Sequence, residues 1–582
     1  MSLKKICSAT LSIAFCLTNM TPVFAVSVPP VNSGLLNQET APPIPEAPKF
    51  LLPKLKAPAQ KEQKKNGILI HVKKFDIYGN KLFKTSILEN LVKNAENKTM
   101  SLDQLTKVVA RITDFYRTKG YFLSRAYLPA QVLHHGIVKI KVLEAKYDVG
   151  HFDNKTKLHD GLIKKAIQNE IRQNEAVTVE SIDHTIMLLS ILSGEQAGVL
   201  LSPGSRPHTT DVGFDIQPTS TWANSSVQFD DWGNPYTGAE RFTGTLQVHN
   251  PLNIGDLLSV TGTVSGNISN LGVGPGLEYG HVAYTVPVSP AATTVTLGGT
   301  ALDYKILGLA ATTGYGHAYI FNFLVTQPIE LRTNNSNFIQ FEADQYYLTD
   351  VLGTSASSDD TRTLSDISLT DYGNTKTSFL FPGLISYNVS ITAGNVDFTN
   401  GAAQVYDASG LKTGGSFYKA NLNLNGTQNV SKTNSLTELF AGQLSSKNLD
   451  PAMELMLGGP STIAAFPEGV FAGSQGFYGQ VQFNHILSFK EVPGILSDNV
   501  FYDEGLIDVN RFQLTNGVNS AYIGGPGIGL TWSYVHWNAS LSLSTPVGPQ
   551  TSLVSSNVPG TVSTTGFNGV PIEGWGMISY TW

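Results

Sequence analysis

The side chains able to do chemistry in this chain are few and scattered. Its two cysteines, Cys7 and Cys16, both fall in the first 25 residues. Of the 12 histidines, only His134 and His135 are adjacent. Neighbours on an extended chain face opposite ways, so this pair reads as part of a turn rather than as a chelate. Asp230-Asp231 and Asp359-Asp360 carry the oxygen chemistry for calcium, but isolated acidic pairs between apolar runs read first as solvated loop charge, with calcium ligation as the alternative. No Gly-x-Ser-x-Gly, Gly-x-x-x-x-Gly-Lys or His-Glu-x-x-His occurs. A hydrolase elbow, an ATPase loop and a zinc helix therefore lack their local signatures, while a Ser/His pair assembled from distant strands stays open. No catalytic residue, cofactor or metal site is expected, and no nucleic-acid partner.

One stretch stands apart, LGGPSTIAAFPEGVFAGSQGFYGQVQF from Leu457 to Phe483, with FYDEG downstream at Phe501 to Gly505. It is too rich in glycine for a helix and too aromatic for a linker, and it runs into Gln480 to Asn484, which alternates as a two-faced strand does. The stretch resembles the loop that folds back into the pore of two-partner secretion (TpsB) outer-membrane transporters, the ShlB/FhaC/HecB haemolysin secretion/activation family. FYDEG is similar to the family's barrel-wall motif, here Phe501, Asp503 and Gly505. That resemblance implies a loop tip at Ile463, Ala464, Ala465 and Phe466, followed by Pro467, facing Asp503. The family tip reads Val-Arg-Gly-Tyr or Val-Arg-Gly-Phe, so the arginine that would pair with the aspartate is replaced by Ala464. The expectation is a tip held by apolar and backbone contacts of Phe466 and Pro467, with Asp503 a lone carboxylate in a watery lumen. A substitute cation and a mobile loop are the other readings.

The elements that must position this pair begin with residues 1–25, which read as a secretory signal: Lys4 and Lys5, an apolar run from Ile6 to Leu17, and Val23-Phe24-Ala25 before the cut. Cys16 as a lipoprotein acceptor is the competing reading, opposed by the bulky Phe15. The mature chain then has no thiol. Residues 26–66 hold eight prolines and end in the charged run Lys61 to Lys65, which reads as a spacer; the resemblance allows a plug helix only over the proline-free Ser33 to Glu39. Ordered structure is expected from Gly67. Ser101 and Gln104 form a capping box ahead of Leu102, Leu105, Val109, Ile112 and Tyr116 at helical spacing, and strands are expected over Gly120 to Pro129 and Ile137 to Glu144. The order βααββ, with Ile77-Tyr-Gly-Asn80, Lys119-Gly-Tyr121 and Leu128-Pro-Ala-Gln131, is similar to a polypeptide-transport-associated (POTRA) domain over 67–146. A second such unit is expected over 147–215. Tyr121, Lys139 and Lys141 are the candidate cargo-binding residues, on the premise that cargo adds as a strand to an exposed sheet edge.

Up to residue 210 there are 28 Lys+Arg against 17 Asp+Glu, and beyond it 11 against 28, so the net charge of -6 hides a basic front and an acidic back. Few lysines and recurrent alternation, as in Tyr418 to Asn425 and Trp537 to Leu543, suit strands with one face in lipid. No later run of eighteen apolar residues offers a spanning helix. The chain ends in Ile578, Tyr580 and Trp582 at period two, similar to the terminal strand by which outer-membrane proteins are recognised for insertion. The resemblance implies an all-β transmembrane barrel of about 16 antiparallel strands over 216–582, preceded by two small α+β POTRA domains. It implies an outer-membrane pore that captures an unfolded exoprotein in the periplasm and secretes it, with lipid and the barrel-assembly machinery as further partners. A soluble β-sandwich is the competing fold. The competing functions are a barrel-assembly factor and a passive porin, the latter having no use for the front 215 residues.

Overall fold

The computed structural model describes residues 31–40, 69–133, 135–194, 196–217, 223–267, 275–307, 314–333, 335–352, 359–489, 491–513, 519–547 and 572–582. The segment expected to be a secretory signal, His134 and the greater part of the proline-rich segment lie outside them. A helix α1 (Ser33–Thr40) comes first. It corrects the spacer reading of this stretch: the proline-free window forms two turns of helix and packs inside the barrel.

The first small unit runs β1 (Leu69–Val72), β2 (Lys74–Tyr78), α2 (Thr85–Val92), β3 (Lys98–Ser101), α3 (Leu102–Thr118), β4 (Arg125–Tyr127), β5 (Ile137–Leu143). The capping box forms as its residues dictate: Gln104 N–H donates to Ser101 Oγ (3.3 Å) and Ser101 N–H to Gln104 Oε1 (2.9 Å). Leu105, Val109, Ile112 and Tyr116 are buried, but Leu102, at the first position of the helix, is exposed. The strand expected over 120–129 shrinks to three residues. Gly120 adopts a left-handed φ of 87° and Tyr121 N–H turns back onto Tyr116 O, which uses up the chain ahead of Arg125. A strand the sequence reading missed, β3, pairs with β1.

The second unit repeats the order: β6 (Lys146–Asn154), α4 (Asp160–Glu170), α5 (Val179–Ser193), β7 (Gln196–Pro203) and β8 (Thr209–Gln217), in a sheet ordered β6-β8-β7. Gly194, left-handed at φ 66°, stops α5. Asp148 in β6 pins the turn before β8. It accepts from Ser205 Oγ (2.6 Å), Ser205 N (2.7 Å) and Arg206 Nη2 (2.7 Å), and this set, led by the Ser205 hydroxyl, holds its carboxyl well below the usual carboxylate range. The unit's core runs on without a break into barrel residues Leu331, Phe338 and Tyr372, and Asp183 of α5 accepts from Thr333 N–H (3.0 Å) and Oγ1 (2.6 Å). The second unit is therefore docked on one rim of the barrel.

Sixteen antiparallel strands close the barrel, from Ala223–Asp230 to Glu573–Thr581, which pair with each other through Met577↔Asp230 to Thr581↔Ser226. No described helix is long and apolar enough to cross a membrane. A closed barrel crosses with strands instead, its backbone groups bonded from strand to strand around the ring except at a bulge between Pro328 and Glu330. Phe242, Leu297, Phe321, Val500 and Ile528 are exposed on its outer face. Ile578 and Trp582 are exposed too, and Tyr580 meets Trp537 edge-on (4.7 Å) and stacks on Trp582 (5.9 Å), an aromatic group at the rim where the strand ends. Turns at the docked rim are short, as at 332–335 and 534–537; the long connections are at the other end.

Candidate functional site

The connection between strands Asn434–Ser445 and Gln475–Leu487 turns into the lumen as a hairpin, Leu455–Leu457 against Phe471–Gly473. Gly458 (φ 110°) begins its tight end; a Cβ there would lie 2.2 Å from the Pro467 carbonyl oxygen, so only glycine fits. Thr462 Oγ1 closes the turn, accepting from Gly458 N–H (2.9 Å) and donating to Gly458 O (2.8 Å). Beyond it Ile463, Ala464, Ala465 and Phe466 are all buried.

The wall strand Ile495–Asp508 alternates, and Phe501, Asp503, Gly505 and Ile507 are its buried, inward members. Each meets the loop differently. Asp503 Oδ2 accepts from Ala464 N–H at 2.9 Å. Phe501 joins Ala464 and Trp575 in one apolar cluster, its ring lying over Gly527, where a Cβ would be 2.1 Å away. Gly505 leaves room for Leu457, whose Cδ1 would be 2.9 Å from a Cβ. The Ala464 carbonyl accepts from Trp575 Nε1 (2.7 Å) and Ser544 Oγ (2.6 Å). Ala465 lies on Gly525, 2.8 Å from where a Cβ would be, and Phe466 packs with Phe471, Ile507 and Ile523. Both polar atoms of the Ala464 peptide are thus satisfied by the wall, which removes the penalty a buried, unpaired amide would carry. Two expectations are corrected. Asp503 is not solvated but fully buried, and the backbone contacts to the wall are made by Ala464, while Phe466 adds apolar contact and closes the loop on itself, its carbonyl accepting from Gly459 N–H (2.8 Å), and Pro467 faces Gly458.

Helix α1 is seated beside this loop. Ser33 N–H donates to Asp350 Oδ1 (2.7 Å) and Ser33 Oγ to Asp350 Oδ2 (3.1 Å), so a wall carboxylate meets the free amides at the helix N-terminus. Tyr304 OH donates to the same carboxylate (2.9 Å), and Arg362 bridges it at 2.8 Å to Asp450, reached by Nε at 2.5 Å. All four side chains are buried. Asp450 begins the short turn Pro451–Met453 at the mouth of the inward loop, and Gly34 packs so closely on it that a Cβ would sit 2.5 Å from Ala452 Cβ. Gln38 Nε2 donates to Ala452 O (2.7 Å). A second, largely buried arginine among the described residues, Arg241, pairs with Asp230 at 2.8 Å. Neither arginine is paired with Asp503, and Asp230 is not the solvated loop charge expected of it.

A family model described as haemolysin secretion/activation protein ShlB/FhaC/HecB matches residues 208–531, more than half of the chain. The chain belongs to this family. A ShlB-type POTRA domain model matches residues 70–145. The heme/hemopexin transporter protein HuxB of Haemophilus influenzae is 25% identical over 480 residues, 81% of this chain and 82% of the relative. The outer membrane transporter CdiB of Escherichia coli O6:K15:H31 is 24% identical over 469 residues, 79% of this chain and 76% of the relative. Solved structures of CdiB share the fold: that from Escherichia coli has a TM-score of 0.65 at 18% identity, covering 100% of this chain and 99% of that one, and that from Acinetobacter baumannii 0.57 at 14%, covering 99% and 97%. The protein is an outer-membrane transporter of two-partner secretion, with its barrel in the outer membrane and its POTRA region in the periplasm.

In this ShlB/FhaC/HecB-type transporter the sequence-derived cargo residues are placed otherwise than expected. Strand β5 is the middle strand of the sheet β2-β5-β4, so Lys139 and Lys141 are on no free edge. Their backbone is occupied: Gln131 extends the pairing beyond β4, its side-chain amide donating to Lys139 O (2.8 Å) and accepting from Lys139 N (2.7 Å). Tyr121 packs edge-on against Phe83 (5.6 Å) and Tyr116 (6.2 Å) in the domain core. Sequence reading also missed Ser544, Trp575, Gly525, Asp350, Arg362 and Asp450. Only the Gly524-Gly525-Pro526-Gly527 run was a signal, since a strand keeps such a run where another backbone must come close.

Proposed function

We propose that the transporter rests with its lumen blocked twice, by α1 and by the inward loop, and that export proceeds by withdrawal of α1 while the loop stays on the wall. The observation carrying this reading is the difference in attachment. Helix α1 is no part of the barrel stretch of the chain and is held by side contacts alone, the Ser33 hydrogen bonds to Asp350, the Gln38 hydrogen bond to Ala452 O and the burial of Leu36, whereas the loop is continuous with barrel strands at both ends and buries its tip.

Cargo enters from the periplasm as an extended chain. The free strand edges, not β5, are the capture points, and β7 suits this role: eight residues, no partner on its outer side among the described residues, and Leu200 exposed. Lys139 and Lys141, on the outward side of β5, add to the positive charge that draws the cargo in. No nucleotide motif accompanies the site, so transport draws on differential binding and on folding of the cargo outside. During biogenesis Ile578, Tyr580 and Trp582, on the lipid side of the last strand, present the barrel to the assembly machinery; Trp582→Ser is expected to lower the folded, heat-modifiable barrel in the membrane.

Two deletions test the reading. Removing residues 31–40 should raise single-pore conductance and leave secretion of the partner intact, whereas removing 67–215 should stop secretion with the barrel still conducting. Unchanged conductance in the first would refute the plug, and continued export in the second would return the protein to the porins.

A further inference from the structure

A groove of about 340 Å³ opens between the two periplasmic units, and its charge is one-sided. Lys81 and Lys141 line it from the first unit, Lys146 from the junction, and Arg206 and His208 from the second. Glu144 is the sole carboxylate of the lining, and it is already engaged: its Oε1 accepts from Lys81 N–H (2.8 Å), Leu82 N–H (2.9 Å) and Tyr116 OH (2.7 Å). Arg206 is fixed in place by Asp148 and by Asn174 Oδ1 (3.1 Å), so it is a rigid part of the wall. By contrast, Lys81, Lys141 and Lys146 form no ion pair among the described residues. The second wall is also pre-set: His208 is left-handed at φ 68°, and its carbonyl takes Lys146 N–H at 3.2 Å. Three unpaired ammonium groups in a concave site, over walls that need no rearrangement, favour an anionic occupant.

We propose that this groove docks an acidic, extended segment of the exported polypeptide, the side-chain carboxylates pairing with Lys81, Lys141 and Lys146 and bridging the two units. The inference rests on the reading that the periplasmic units capture cargo, and it adds the chemistry of what they capture. A polypeptide suits the position better than a lipid headgroup: the groove lies between the two units, and the second unit alone makes the docking contacts with the barrel rim described above.

The test uses the full-length transporter in detergent with a fluorescent dodecamer of glutamate as probe and a Gly-Ser dodecamer of equal length as control. The wild type is expected to bind the glutamate probe selectively and progressively less tightly with salt, as screening over about 8 Å at physiological ionic strength requires. The variant K81E/K141E/K146E should lose about tenfold or more in that binding, from three reversed contacts, with heat-modifiability and conductance unchanged. Equal binding of both probes, or undiminished glutamate binding by the triple variant, overturns the groove; so does displacement of the probe by phosphatidylglycerol vesicles or by inorganic phosphate at low millimolar levels. Secretion separates this from the parent reading. If the 67–215 deletion stops export but the triple variant exports normally, capture stands and the acidic segment does not; if export survives the deletion, capture itself fails.

Discussion

The lumen holds two inserts, each meeting the wall at an aspartate; both bury apolar side chains, as Leu36 does in the helix and Phe466 in the loop, but the polar part of their attachment differs. At the loop tip Asp503 takes a single backbone amide, and the rest of the attachment is apolar contact plus the Trp575 and Ser544 hydrogen bonds to one carbonyl. At the plug Asp350 takes two hydroxyls, a helix terminus and a guanidinium that is shared with Asp450. An apolar, shape-fitted contact is lost only if the wall deforms. A charged seat can be emptied if its groups exchange partners, because Arg362 still has Asp450 and Asp360 when α1 leaves. On the proposed reading the ion pairs lie at the seat of the insert that leaves, and the tip of the insert that stays has Ala464 where the resemblance would place an arginine.

Breaking the charged seat should have the largest effect. Arg362→Met strands Asp350 and Asp450 in a buried site at a cost of about 3–5 kcal/mol, typical for a buried pair that loses one partner. The plug should be lost from the lumen and conductance should rise, read by planar-bilayer recording, while the barrel stays assembled by heat-modifiability. Next comes Gly525→Val, which places carbon where Ala465 and the Thr545 carbonyl already are; overpacking of about 1–3 kcal/mol should displace the tip and reduce export, measured as partner in the medium. Trp575→Phe removes a single donor from the Ala464 carbonyl, a loss of about 1 kcal/mol, seen as faster protease cleavage within 459–469 and a modest fall in export. Asp503→Asn should do least, because an amide oxygen still accepts the Ala464 N–H; abolished export in that variant would show a cation partner that the apolar account lacks. Ala464→Arg, in turn, should weaken rather than lock the loop, since Ala464 is 2% exposed and is packed against Phe501 and Trp575.

How legible this was in the sequence differs between the same two inserts. The loop was readable because its constraints are local: glycines at left-handed turns, and Phe501, Asp503 and Gly505 at period two on one strand. Its acceptors were not, because Ser544 and Trp575 lie 80 and 111 residues from Ala464 and are aligned only by closure of the barrel. The plug was nearly invisible. Eight residues between prolines make no stable helix alone, and the segment folds because Asp350, Arg362 and Asp450 supply a seat from three distant places. In the periplasmic units the capping box and helix periodicity carried over, since they are short-range. The edge assignment failed because strand order in a sheet is a tertiary property, and alternation in β5 shows two faces without saying what lies on either side.

The most direct measurement exploits the absence of cysteine after Cys16. In S33C/D350C the two side chains that now touch can form a disulfide between plug and wall, and Arg362 keeps Asp450 and Asp360 as partners. Export of the partner polypeptide is compared before and after addition of reductant. The account predicts that the oxidised transporter assembles but does not export and that reductant restores export; equal export from the oxidised and reduced forms would contradict it.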